Sequence, residues 1–413
     1  MMDADKFKRI TRRIESYRKA MIEMQIALSA VPALGPENGG EGEFLKANLL
    51  KKRLSAMGFK NFRYYNARDK NVPSGIRPNF VTTIAGKNKS RFIWILTHLD
   101  IVPPGELNLW SRNPYSVYVK SGRIYGRGVE DNQQDMVASI FAAKALLDEN
   151  ITPANSIGLA FVADEETSSR WGLRYMLECA NQPFGRNDLI IVPDSGNSKG
   201  TLIEVAEKSM LWLRFKTKGK QCHASKPQLG NNAFAAASHL VTGLAALKKA
   251  FPKSDALFDP PASTFEPTKK EPNVGNINTI PGEDVFYMDC RLLPGYRLQN
   301  VMAAIKKIVR GVEDKFKVKI EISPVQYLQA PKPTSPDALI VQSLHKATSA
   351  VYGIKAYAGG VGGGTVAAYF REKNYAVAVW SKNNQTAHQP DENCSIENML
   401  GNAKVFAHVF LQE

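Results

Sequence analysis

Four short apolar runs, each leading to a histidine or an aspartate, constrain this chain more than any other feature. Residues 92–97 (Phe-Ile-Trp-Ile-Leu-Thr) run into His98-Leu99-Asp100, 157–163 into Asp164-Glu165-Glu166, 189–193 into Asp194, and 376–380 through a polar loop to His388. Apolar runs of this length closed by turn signals read as buried strands, and 79–84 reads the same way. Residues 136–147 have the length and composition of a helix lying between two of them. This alternation predicts an α/β fold, a mostly parallel mixed sheet with helices on both faces. Open α/β sheets bind ligands outside the carboxyl ends of their strands, so the polar residues at those ends are the functional candidates. Asp131 joins them from the turn Gly126-Arg127-Gly128-Val129-Glu130-Asp131, which opens the following helix.

The periodicity divides the chain. Ile10, Ile14, Tyr17, Met21 and Met24, then Phe44, Leu49 and Leu54, have helical spacing interrupted by 32–42, which predicts two helices over 5–57. From about Glu207 the pattern changes: 211–217 and 284–292 alternate as strands, 233–250 and 301–316 read as helices, and 318–322 closes the set. That order describes a small α+β sandwich with one helical face. After 331–336 the α/β pattern resumes with a helix at 338–352, a strand at 375–379 and a final helix at 396–411. The expected organisation is one α/β domain, residues 1–206 and 326–413, with the sandwich, 207–325, inserted into it.

A net charge of +15 raises the question of nucleic acid or another anionic partner. The basic residues are dispersed, in short clusters such as Lys51-Lys52-Arg53 and Lys306-Lys307, and no arginine-rich run or zinc finger is present. A solvated basic surface with no nucleic-acid partner is the expectation. No apolar run approaches the roughly 18 residues of a membrane span, so no membrane partner is expected. Cys179, Cys222, Cys290 and Cys394 are far apart and form no C-x-x-C pair, which fits a reducing, cytoplasmic compartment.

One imidazole at each end of the candidate series, His98 and His388, with carboxylates between them, is the composition of a dinuclear metal site. Each ion takes a histidine, a terminal carboxylate and a share of a bridging carboxylate, leaving room for a shared water. Zinc accepts such a mixed nitrogen and oxygen set, whereas magnesium and calcium prefer oxygen alone. Two ions activate the water and polarise a carbonyl. Glu165, beside a ligand yet free to face a substrate, suits proton transfer, and Asp100 suits holding the far nitrogen of His98. Taken singly, a His-x-Asp after a strand or an Asp-Glu-Glu run is usually structural; the conjunction points to chemistry.

These segments, together with Trp110, Pro114-Tyr115 and Ala387-His388-Gln389-Pro390-Asp391-Glu392, resemble the co-catalytic zinc metallohydrolase and metallopeptidase family. That family includes succinyl-diaminopimelate desuccinylase, acetylornithine deacetylase, aminoacylase and glutamate carboxypeptidase. The resemblance covers nearly the whole chain and implies a zinc-exopeptidase-like catalytic domain. It implies that Asp131 bridges two zinc ions (cobalt or manganese being substitutes), that His98 and Asp194 complete one, and that Glu166 and His388 complete the other. Glu165 is then the general base in amide hydrolysis of a small N-acyl amino acid. The sandwich is similar to the family's lid and dimerisation domain, which implies a homodimer in which His223 crosses to the partner's site and stabilises the oxyanion. Asn278, Arg291, and Gly363, Gly364 and Thr365 of the loop 359–365 match substrate-contacting positions; that loop lacks the spacing of a phosphate cradle.

Three departures bear on specificity: Asn132-Gln133-Gln134 after the bridging aspartate, Val366-Ala367-Ala368-Tyr369 after the pocket threonine, and Asp194 where desuccinylases and glutamate carboxypeptidase carry glutamate. A dipeptidase or aminopeptidase on the same site stays open as an alternative, as does a binding protein that has lost catalysis.

Overall fold

The apolar runs become a sheet whose centre is parallel. In a computed structural model, which describes residues 4–412, Asn88–His98 lies parallel to Asn155–Val162 on one side and to Leu189–Val192 on the other. Val377–Val379 adds in parallel beyond Leu189–Val192. Antiparallel strands flank this centre: Phe80–Ile84 and then Asn61–Tyr64 on one side, Leu202–Glu207 on the other, and Tyr357–Val361 ends the eight-stranded order. Because parallel strands share a direction, their carboxyl ends fall on one edge of the sheet. His98, the turn Asp164–Glu166 and Asp194 are therefore delivered to the same rim.

Both faces are covered, which is why the central strands are apolar on consecutive residues. Trp94 and Leu96 pack with Leu173, Met176, Phe184 and Phe370 on one face. On the other face Gln134–Asp148, buried along most of its length, packs against the sheet and against the final helix, Ile396–Phe410. The registration is tight: Trp94 is the cross-strand partner of Gly158, and a Cβ built at Gly158 would fall 2.1 Å from the indole.

Three α-helices, not two, form over the first stretch: Ala4–Ser16, Arg18–Ser29 and Phe44–Ala56. The break falls at Tyr17, whose hydroxyl donates to Asp148 and whose ring packs on Phe141, re-aiming the chain onto the helix that holds both. The helix expected over 233–250 likewise divides, into Ala233–Leu244 and Leu247–Ala250.

The chain forms two compact units. The first comprises the described residues through Val205, Thr334–Ala358 and those from Thr365 onward; the second comprises Ala206–Pro333 and Gly359–Gly364. Within the second, four antiparallel strands run in the order Thr264–Lys270, Glu283–Leu292, Ser209–Lys218, Lys319–Leu328. Ser209–Lys218 buries alternate residues because only one face is covered, by Ala233–Leu244 and Leu298–Phe316. The strand Thr264–Lys270 was not expected from the sequence. It contains Pro267, which is tolerated because the strand lies at the sheet's edge and bulges there.

Candidate metal centre

His98 is the last residue of its strand, and its side chain is 1% exposed. Nδ1 lies 3.0 Å from the main-chain carbonyl of Asp100, which gives that nitrogen a proton and leaves Nε2 for a metal ion or, without one, for a second proton. Nε2 points at Asp131 Oδ1 (3.1 Å) and Asp194 Oδ1 (3.2 Å). The Asp100 side chain stands beside the same nitrogen, its Oδ1 3.5 Å from Nδ1, and the carboxylate also accepts the amides of Glu165 (3.1 Å) and Glu166 (2.9 Å). It thereby fixes the turn that carries both glutamates.

That turn begins at Asp164, buried and at φ +60°. The Asp164 amide donates to Glu43, a buried carboxylate forked to Arg77 (2.7 Å at Nε), and its own carboxylate accepts Ser168 Oγ (2.9 Å) and the Trp171 amide (3.0 Å). What reads in sequence as a solvated acidic run is a turn that starts buried at Asp164 and is half-buried at Glu165 and Glu166, with each of its first three amides claimed by a carboxylate. The side chain of Glu165 accepts no hydrogen bond from the described residues. Burial and then the Asp194 charge push its carboxyl well above the ordinary range. Burial and the Asp131 charge push Glu166 up to about 7.

Asp131 sits in a single wide turn, Val129–Gln133, ahead of the helix, and its peptide bond to Asn132 is cis. Its two oxygens face different histidines: Oδ1 faces His98, and Oδ2 lies 3.1 Å from His388 Nε2, which is also 3.2 Å from Glu166 Oε2. Bonds to Asp131 and then Glu166 raise His388 to about 10. His98 is raised well above its usual value, because bonds to Asp100, Asp131 and Asp194 outweigh the cost of burial. Asn132 ties one side of the centre together: its Nδ2 donates to Asp194 Oδ1 (3.1 Å) and its Oδ1 accepts the His98 amide (3.3 Å). Nothing in the sequence marked Asn132 for this, beyond its place in a stretch that departs from the family pattern.

His98, Asp131 and Asp194 form one cluster and Asp131, Glu166 and His388 a second, each with its candidate ligand atoms within 4.8 Å of one another. Neighbouring donors 3.1–3.2 Å apart match the roughly 3.3 Å separating two ligands about 2.05 Å from one tetrahedral ion. The donor set, imidazole nitrogen with carboxylate oxygen, suits zinc-class ions. With more carboxylates than imidazoles in a nearly buried site, cations answer the charge that protons otherwise must. The residues present fit a pair of divalent ions.

The other candidates divide between the two units. Thr365 belongs to the first unit and its hydroxyl accepts the Ala367 amide (3.1 Å). His223, Asn278, Arg291, Gly363 and Gly364 belong to the second. There His223 is exposed and pairs with Thr279 across a two-strand ribbon, its Nδ1 bonded to Ser225 Oγ (2.8 Å), while the Asn278 carbonyl accepts the Ala224 amide (2.8 Å). Gly363 and Gly364 are exposed. Arg291 is already engaged, forked to Asp289 (2.8 and 3.0 Å), bonded to the Gly362 carbonyl (2.8 Å) and stacked 5.5 Å from the Trp212 ring centre. Three of its five donors are used.

Residues 94–412 match the peptidase family M20/M25/M40. The chain belongs to this family. It is 40% identical over 407 residues to an uncharacterised metallohydrolase of Methanocaldococcus jannaschii, covering 94% of this chain and 98% of that one. It is 27% identical over 383 residues to a succinyl-diaminopimelate desuccinylase of Sphingopyxis alaskensis, covering 92% and 94% respectively. Among solved structures, an M20 family metallo-carboxypeptidase of Sulfolobus solfataricus superposes with a TM-score of 0.72 at 21% identity, covering 95% of this chain and 98% of the other. As an M20 metallohydrolase the chain is a metal-dependent hydrolase of carbon–nitrogen bonds of the amide or peptide type. No helix among its described residues is long and apolar enough to cross a membrane.

Proposed function

We propose that this M20 metallohydrolase removes the acyl group from a small N-acyl amino acid, using two metal ions held by His98, Asp131, Asp194, Glu166 and His388. The observation that carries the reading is Asp131, which turns one oxygen to each histidine, 3.1 Å from His98 and 3.1 Å from His388. A carboxylate so placed belongs to two ligand sets at once. Two divalent ions, zinc first with cobalt or manganese as substitutes, would acidify the attacking water and polarise the amide carbonyl. Glu165, whose side chain accepts no hydrogen bond from the described residues, would take the water's proton and return it to the departing nitrogen. Asp100 and Glu43 hold the turn that aims it.

The second unit is assigned the roles of lid and dimer contact, with His223 of a second copy stabilising the oxyanion. The exposure of His223 supports this. Arg291 retains two N–H donors not bonded to the described residues, enough for a substrate carboxylate, and Asn278, Gly363, Gly364 and Thr365 are assigned substrate contact by the family resemblance. The four cysteines are unpaired, which supports a cytoplasmic setting. A dipeptidase or aminopeptidase activity is the second reading; Asp194, an aspartate rather than a glutamate, fits the deacetylase, aminoacylase and peptidase branches alike.

Purified protein reconstituted with zinc or cobalt decides between them when assayed on N-acetyl amino acids, N-succinyl amino acids and dipeptides. Turnover confined to the acyl amino acids supports the first reading, and turnover confined to dipeptides the second. Any hit must vanish in Glu165→Ala; retained activity there would refute the base.

A further inference from the structure

Two buried carboxylates outside the proposed ligand set are exchanged between the two loops that meet at Asp131 and His388. Glu392, four residues beyond His388, reaches across to the Asp131 turn. Its Oε1 accepts the amides of Glu130 (2.9 Å) and Asp131 (3.1 Å), and its Oε2 accepts the amide of Gly128 (3.1 Å) and Nη1 of Arg127 (2.6 Å). Glu130, next to Asp131, reaches the other way. Its Oε1 accepts the amide of Asn384, and its Oε2 accepts both the amide of Thr386 and the Thr386 hydroxyl (2.8 Å). Glu392 is 0% and Glu130 4% exposed, so neither is a surface charge that happens to lie nearby.

His388 needs such help. It stands at φ +62° in irregular backbone, its side chain is 53% exposed, and its ring is bonded only to Asp131 and Glu166 among the described residues. Where it sits relative to Asp131 is therefore set by the loop, and the loop is held by the carboxylates. Amide-to-carboxylate bonds in a buried setting are the strong kind, and leaving such amides without acceptors is costly.

We propose that Glu130 and Glu392 are positioning residues that brace the Asp131 and His388 loops against each other from opposite sides, and so set the affinity of the ion shared by Asp131, Glu166 and His388. This rests on the two-metal reading above. The two arms differ in reach. Glu392 bonds the Asp131 amide itself, so its loss disturbs both ions, whereas Glu130 holds only the His388 loop. The ion between His98, Asp131 and Asp194 has its own supports, the Asp100 carbonyl and Asn132.

The test is a zinc titration of metal-stripped full-length protein, with cobalt absorption as a second probe and circular dichroism to confirm folding. Wild type is expected to bind two ions. Glu130→Gln is expected to hold one at wild-type affinity and the other on the order of 10–100-fold more weakly. Thr386→Val, which removes the hydroxyl with its bonds to Glu130 and to the Asn393 backbone but keeps the Thr386 amide, shifts the same ion in the same direction by less, and stands in should the glutamine variant not fold. A general loosening would weaken both ions together, so folded variants that lose both equally overturn the brace, as do variants that bind both like wild type. Wild type taking up fewer than two ions refutes the two-metal reading itself, and the brace with it.

Discussion

The two imidazoles of the centre are equal partners of Asp131, yet the chain holds them in opposite ways. His98 ends a central parallel strand, is buried, and has its far nitrogen fixed by the Asp100 carbonyl, with Asn132 linking its backbone to Asp194. His388 rides an irregular loop, half open to solvent, and depends on carboxylates traded between loops. A ligand at a strand end inherits its geometry from the sheet. One on a loop must have its geometry supplied by hydrogen bonds that the loop does not make to itself.

The comparison can be broken at four points. Asp131→Ala should have the largest effect, because it deletes the only group common to both halves: neither ion is expected to bind at the wild-type affinity, and turnover should fall below detection. A variant that still bound both ions tightly would show that the halves are independent. Glu165→Ala should lower kcat by roughly 10²- to 10⁴-fold while zinc content, read by elemental analysis, stays unchanged. Loss of metal in that variant would move Glu165 from base to ligand. Asn132→Ala should weaken the ion on the His98 side by about 10- to 100-fold and spare the other, the mirror image of Glu130→Gln. If both variants weakened the same ion, the two halves would not be separately supported.

The smallest effect lies outside both halves and serves as their control. Burial, and then the charge of Lys346, lowers His408 to about 4. A group depressed in the folded state contributes stability that is complete above its unfolded value of about 6.5 and is lost as pH falls through the folded one. Melting temperature should therefore decline by a few degrees between pH 6.5 and 4. His408→Gln should flatten that decline and leave zinc binding alone; an unchanged slope would place the sensitivity elsewhere.

Much of this was legible before any coordinates. Apolar runs at 92–97, 157–163 and 189–193 marked the parallel centre because strands covered on both faces must be apolar without alternation. The polar residues that followed were selected as candidate ligands by the rule that parallel strands open their sites at one edge, and the structure gathers His98, Asp131, Glu166, Asp194 and His388 there. What stayed hidden was carried by pairings across sequence. Glu392 meets Glu130 and Asp131 from more than 260 residues away, and Glu43 meets Asp164 from 121. An acid whose partner is a distant amide looks in sequence like any surface acid. Asp100 was noticed for its nearness to His98, but nothing in the sequence showed that its carbonyl would also face that ring or that its carboxylate would hold the next turn. Pro267 hid an edge strand for a similar reason, since only the sheet's order shows that the strand has a neighbour on one side alone and bulges beside the proline.

The indole of Trp94 resting where a side chain at position 158 would go leaves the strand Asn155–Val162 no freedom to slide. The distance from His98 to the acidic turn is thus a constant of the scaffold, like the fixed jaw of a caliper. A bulkier residue at position 158 would therefore disturb His98 and the acidic turn together, before any substrate is met.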